Sequence, residues 1–167
     1  MWTRQRLGDT IIDEYVFCSA VGKSGKESYM VLQEKNSEKY LGGVLPIAQN
    51  LAEVSKKVNL LTCLGSKNDN KKKISQELKK NINLNFITKR GSTTIIKKRF
   101  IDQIDNTKLL GIYSLDNEHY SKKDETNLIR KFKSLINNSD LITLSDYGHG
   151  FFTQNFIREI YKTKKFT

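Results

Sequence analysis

Three short stretches of this sequence carry carboxylates or paired glycines in ways suited to holding a polar ligand. Asp9 and Asp13 flank Thr10-Ile11-Ile12. A carboxylate at the end of a strand accepts hydrogen bonds from hydroxyl groups, and in an open α/β sheet that end faces the ligand crevice. Gly42 and Gly43 stand directly before a helical pattern. Adjacent glycines let a ligand approach the backbone, and a helix N-terminus offers unpaired N–H groups. Asp146-Tyr147-Gly148-His149-Gly150 follows an apolar run, which puts Asp146 at the carboxyl end of another strand. Singly, each feature is equally well a turn or a cap, and His149 reads as a polar turn residue.

One tempting motif fails. Gly22-Lys23-Ser24-Gly25-Lys26 suggests a phosphate loop, whose pattern needs a glycine, four residues and then Gly-Lys-Ser/Thr. In one register Phe17 occupies the first glycine position, and in the other Glu27 stands where a hydroxyl is required. A flexible turn between two strands is the better reading, with two lysines within reach of an anion.

The elements that must position these residues alternate in period. Leu7 to Ile12 reads as a short strand, followed by extended stretches at Tyr15-Val16-Phe17 and Tyr29-Met30-Val31-Leu32. Ile47, Ala48, Leu51 and Ala52 share a helical face beginning at Gly43. Val58 to Leu64 is a buried strand. Ile74, Leu78 and Ile82 recur every four residues and predict a helix from Asp69 to Asn81. Phe86-Ile87, Thr94 to Ile101 and Leu109 to Tyr113 are strand-like. Ser121 to Asp124 looks like a capping box opening a helix through Leu128, Ile129, Phe132, Leu135 and Ile136. Asp140 to Ser145 is another buried strand, and Thr153 caps a last helix with Phe156, Ile157, Ile160 and Tyr161 inward. Strand and helix in alternation predict an α/β fold: a mostly parallel sheet flanked by helices, in one domain. Met1 to Arg6 is too polar to serve as a central strand, and the first and last elements both look cut.

With 167 residues, 37% hydrophobic and 10% aromatic, the chain has the material for one folded core. No apolar run is long enough to span a bilayer, and the start lacks the apolar stretch of a secretion signal. Cys18 and Cys63 match no zinc spacing and read as reduced thiols of a cytoplasmic protein. A net charge of +11 raises the question of nucleic acid. Yet the excess is lysine scattered among asparagine and isoleucine, while arginine, the better donor to phosphates and base edges, is scarce.

Four segments, in this order, resemble the ribokinase-like carbohydrate kinases. They are Gly8 to Tyr15, Tyr40-Leu41-Gly42-Gly43, Lys97-Lys98-Arg99-Phe100 and Ser145 to Gly150. Their spacing is similar to the amino-terminal part of the heptose-phosphate kinase branch, which often occurs fused to a nucleotidyltransferase. The resemblance implies a truncated ribokinase-like fold with a small β lid, its strands at about 14–35 and 94–101, that also serves homodimerisation in relatives. It implies that Asp13 holds sugar hydroxyls, that Gly42 and Gly43 pack under the sugar, and that Lys97 and Arg99 face a substrate phosphate. Asp146 is then expected near the nucleotide phosphates and Mg²⁺, with ATP as phosphoryl donor of the complete protein.

Two departures from the family pattern stand out. Val44-Leu45-Pro46 replaces a small residue and an asparagine after the glycines, and His149 stands where relatives often have lysine. No segment resembles the family's late Gly-Ala-Gly-Asp, whose aspartate is the catalytic base. The resemblance therefore implies no catalytic residue within the 167, and places the expected base beyond Thr167. The expectation is an incomplete kinase domain over 1–167, without its carboxyl-terminal nucleotide-binding half and inactive by itself. The alternatives are a non-catalytic sugar-binding or dimerisation module and, more remotely, a basic nucleic-acid binder.

Overall fold

The computed structural model describes residues 2–68, 70–115, 120–137, 139–163 and 165. Four parallel strands form the main sheet: β1 (Thr3–Gly8), β4 (Lys57–Gly65), β5 (Ile82–Lys89) and β8 (Leu141–Ser145), in the order β5-β4-β1-β8. A second sheet, ordered β3-β2-β6-β7, is built from β2 (Thr10–Lys23), β3 (Met30–Gly43), β6 (Ile95–Asp102) and β7 (Lys108–Ser114). Here β2 pairs antiparallel with β3 and parallel with β6, and β7 closes the far edge antiparallel to β6. This sheet takes in the strands expected at about 14–35 and 94–101 and adds β7.

Helices cover both faces of the main sheet. α1 (Val44–Glu53) and α2 (Lys71–Glu77) lie on one face, where Val44, Leu45, Ala48 and Ile74 pack against Leu60 and Leu64 of β4. α3 (Lys122–Ile136) and α4 (Gln154–Tyr161) lie on the other, where Leu128, Phe132 and Phe156 pack against Leu7, Leu61 and Ile142. Phe132 and Phe156 meet edge-to-face with centroids 5.3 Å apart. Both expected caps are present: Ser121 Oγ accepts from the Asp124 amide at 3.0 Å and Thr153 Oγ1 from the Phe156 amide at 3.1 Å. Tyr161, expected inward, is exposed on the last turn of α4.

The polar start is a strand after all, and a central one. Arg4 pairs with Val58 on one side and Leu141 on the other, so β1 has a ladder on both edges. The Thr3 amide donates to the Asp140 carboxylate at 2.8 Å, the Asp140 amide donates to the Thr3 carbonyl at 2.9 Å, and the Lys56 amide to the Trp2 carbonyl at 3.1 Å. Two-sided backbone pairing overrides composition here. The cost is visible in the side chains: Gln5 is 0% and Arg6 2% exposed. The Gln5 amide atoms and the Arg6 Nε find no hydrogen-bond partner among the described residues. The Arg6 guanidinium leans across β8 to the Ser145 hydroxyl, and burial lowers its pKa.

The helix expected from Asp69 to Asn81 is also corrected. Asp69 lies outside the described residues, and α2 ends at Glu77 because Leu78 turns to extended backbone. Ile82 therefore opens β5 instead of completing a helical face. Thr167, past which the catalytic base is expected, lies outside the described residues as well. No helix among the described residues is long and apolar enough to cross a membrane.

Candidate functional site

The carboxyl ends of β1 and β8 meet the start of α1 at one place, and Asp9 holds it together. Asp9, between β1 and β2, is buried. Its carboxylate accepts the Tyr147 amide at 3.1 Å, while its carbonyl accepts the Val44 amide at 2.9 Å in the first turn of α1. Tyr147 in turn donates its hydroxyl to the Gly43 carbonyl at 3.2 Å. The loop after β8 is thereby tied through one tyrosine to Asp9 at its amide and to the diglycine at its hydroxyl. Gly43 has φ 61°, and a Cβ there would stand 2.3 Å from the Asp9 carbonyl, so only glycine fits. Burial raises the Asp9 carboxyl pKa, an effect opposed by the Tyr147 amide and by His149.

One strand further along the lid, Asp13 faces Gly42, whose added Cβ would lie 2.2 Å from Asp13 Oδ2. The other oxygen, Oδ1, accepts Arg99 Nη1 at 2.5 Å. Arg99 sits between two rings, 5.5 Å from the Tyr15 centroid and 5.7 Å from that of Tyr113. The hydrogen bond from Arg99 to Asp13 raises the pKa of the guanidinium. Lys97, in register with Asp13 across the β2–β6 ladder, lies 5.9 Å from the Tyr113 centroid and makes no ion pair among the described residues. Asp13, Gly42, Gly43, Lys97 and Arg99 thus come from three strands of the lid to one neighbourhood.

Asp146 is placed differently from the rest. Its Oδ1 accepts the Gly148 amide at 2.8 Å, and it lines an apolar hollow of about 150 Å³ with Leu144, Phe152, Ile157, Ile160 and Tyr161. The neighbouring Tyr147, not Asp146, reaches the diglycine. A smaller hollow of about 30 Å³, lined by Asp9, Thr10, Cys63, Thr94, Tyr120 and His149, lies at the carboxyl end of β4. His149 Nε2 is buried there without a hydrogen-bond partner among the described residues. Burial pushes the Cys63 thiol up to about 11, so it is neutral and unreactive at physiological pH.

Sequence spacing singled out the Asp9–Asp13 pair, each as a hydroxyl acceptor or else a turn or cap residue, and gave Tyr147 no role. The one available signal was position: each sits at the carboxyl end of a strand in a parallel sheet. No group of three histidine, cysteine, aspartate or glutamate side chains among the described residues is placed to hold a metal.

No family model matches the chain. It is 26% identical over 166 residues to the bifunctional protein HldE of Campylobacter fetus subsp. fetus, covering 95% of this chain and 34% of that protein. It is 29% identical over 160 residues to the protein of the same name from Aliarcobacter butzleri, covering 92% and 32%. The chain thus spans about a third of the length of these curated relatives. Among solved structures it superposes on a Thermotoga maritima protein described as a possible 1-phosphofructokinase, with TM-score 0.69 and 14% identity, covering 98% of this chain and 52% of that one. It also superposes on Arabidopsis thaliana ribokinase solved with ribose and ATP, with TM-score 0.58 and 16% identity, covering 86% and 45%. The fold is that of the ribokinase-like sugar kinases.

In this chain the ribokinase-like fold shows as a four-stranded parallel sheet with helices on both faces and a second four-stranded sheet beside it. Pro46 sits in the first turn of α1, where its missing N–H costs nothing. Gly43 and Val44, not a polar side chain, form the start of that helix, so any recognition there falls to backbone groups and to the lid residues opposite.

Proposed function

We propose that this chain is the sugar-binding and lid half of an ATP-dependent carbohydrate kinase acting on a sugar phosphate of the heptose 7-phosphate type. One observation supports this most: Asp9 and Tyr147 bind the diglycine to the loop after β8, beneath a lid carrying Asp13, Arg99 and Lys97. The likeness to the two HldE proteins adds the heptose-phosphate branch as the first substrate class to test.

In this reading Asp13 takes sugar hydroxyls and Gly42 with Gly43 lets the ring lie against the backbone. Arg99 and Lys97 receive the phosphate, and the lid excludes water that would compete with the acceptor hydroxyl for the phosphoryl group. Mg²⁺ and ATP belong to the complete reaction. The Asp146 carboxylate alone suits a water-mediated contact to such an ion, which keeps most of its ligands as water and phosphate. The 167 residues contain no Gly-Ala-Gly-Asp segment, and loss of a general base alone costs about 10²–10⁴-fold. We therefore expect binding without turnover, in a cytoplasmic setting. Calorimetric titration with sedoheptulose 7-phosphate tests the binding. A coupled assay showing ATP-dependent phosphorylation of any sugar phosphate by the 167 residues would contradict the division of labour.

A second reading, a dimerisation module without catalysis, has its own support. Val21, Met30, Leu110 and Ile112 of the lid strands are all more than half exposed. Apolar exposure at that density suits a protein contact, such as a second lid.

A further inference from the structure

The carboxylate assigned to sugar hydroxyls is already engaged. Asp13 Oδ1 is bonded to Arg99, and Oδ2 lies in the space that a Cβ on Gly42 would fill. Nor is Arg99 easily displaced sideways, since Tyr15 and Tyr113 flank its guanidinium and Tyr15 is braced edge-on by Tyr40 at 5.7 Å. Both charged side chains keep a window to solvent, 19% exposed for Arg99 and 24% for Asp13, so a ligand can reach the pair.

We propose that the Asp13–Arg99 ion pair is a selectivity latch, closed to neutral sugars and opened by a ligand's phosphate. The proposal rests on the sugar-phosphate reading of this site and deepens it. A neutral sugar offers Asp13 hydroxyl donors only, and these are weaker partners for a carboxylate than a guanidinium. A phosphate carries nearly two negative charges and matches the forked donors of arginine, so it competes for Arg99 where a hydroxyl cannot. Lys97, in register with Asp13 and without an ion pair among the described residues, adds a second cation on the same side. Drawing Arg99 onto the phosphate releases Asp13 Oδ1 for the sugar hydroxyls. The two halves of one ligand are thereby coupled: the phosphate does not merely add its own contact but makes the hydroxyl contact available.

The latch separates from simple additive binding in a titration of sedoheptulose and sedoheptulose 7-phosphate against the 167-residue chain, Arg99→Gln and Asp13→Asn. The wild type should favour the phosphate ester by about tenfold or more, the worth of one or two charge-assisted hydrogen bonds. Arg99→Gln should weaken the ester by about tenfold and at the same time tighten the neutral sugar, because Asp13 is then free. Asp13→Asn should lose that tightening when combined with Arg99→Gln. If Arg99→Gln leaves the neutral sugar unchanged or weakened while the ester is still preferred by the wild type, the latch is wrong and the sugar-phosphate reading survives. If the wild type binds no sugar phosphate, the reading falls and the latch with it. Matched thermal unfolding of the variants guards against a trivial loss of fold, and Arg99→Lys, which keeps the charge, should recover part of the ester affinity.

Discussion

Asp9 carries a charge that the fold does not welcome, because burial raises its carboxyl pKa above the ordinary 3.8. A group raised in this way gives its full stability below the unfolded value and loses it as pH climbs through the higher native one. Urea midpoints measured from about pH 4 to about pH 7 should therefore fall relative to those of Asp9→Asn, which has no charge to bury and keeps an oxygen for the Tyr147 amide. Glu159 works the other way: Lys133 and Lys162 hold its carboxyl down to about 2, so what it contributes is present above 4.5 and lost toward the acid end. The two residues thus act in opposite directions over the acid range. Asp9 also shows why the site was only partly legible. Its importance comes from the Tyr147 amide, 138 residues away, and no local spacing carries that contact. The diglycine stands where its local mark puts it, directly before α1, whereas Asp13, expected at the end of a first strand through Ile12, lies inside β2 because the chain breaks at Asp9 instead.

Helices declared themselves where packing is one-sided. The stripe of apolar residues in α3 and its Ser121 cap fix both its face and its start, and Thr153 does the same for α4. Thr153→Ala should cost about 0.5–2 kcal/mol, read as a lowered denaturation midpoint. The hydroxyl also donates to Glu125 Oε1 at 2.5 Å, which joins α4 to α3, so the loss should fall in the upper half of that range. Strands were legible where apolar or β-branched residues run together: the buried β4 shows as Val58 to Leu64, the half-buried β6 as Thr94 to Ile101 and the exposed β7 as Leu109 to Tyr113. The stretch from Gln33 to Tyr40 in β3 is charged and largely exposed on the lid, so its side chains gave no period to follow. β1 was hidden for the opposite reason: buried on both faces, it should be apolar, and Thr3-Arg4-Gln5-Arg6 is not. In α2 a repeat of four across Ile74, Leu78 and Ile82 mimicked a helix that tertiary packing divides between a helix, a turn and a strand.

At the scale of the molecule, the main sheet ends at β8 with one ladder made and the other edge unpaired among the described residues. Beside that edge lie Leu144, Tyr147 and Tyr161, each well exposed, and the apolar hollow under α4. The two solved proteins on which the chain superposes are each about twice its length. An open edge next to an apolar hollow invites association. Leu144→Lys, a charge placed on that edge, should reduce concentration-dependent light scattering at unchanged melting temperature.

Trp2, the one tryptophan of the chain, lies at the outer end of the central strand and is 59% exposed even though its carbonyl is held by Lys56. An indole already in water emits at long wavelength before any unfolding begins. Its fluorescence will change little as the sheet comes apart, whereas Tyr15 and Tyr113 leave the guanidinium of Arg99 when the chain unfolds. Absorbance of those phenols, more than indole emission, is the optical window onto this protein.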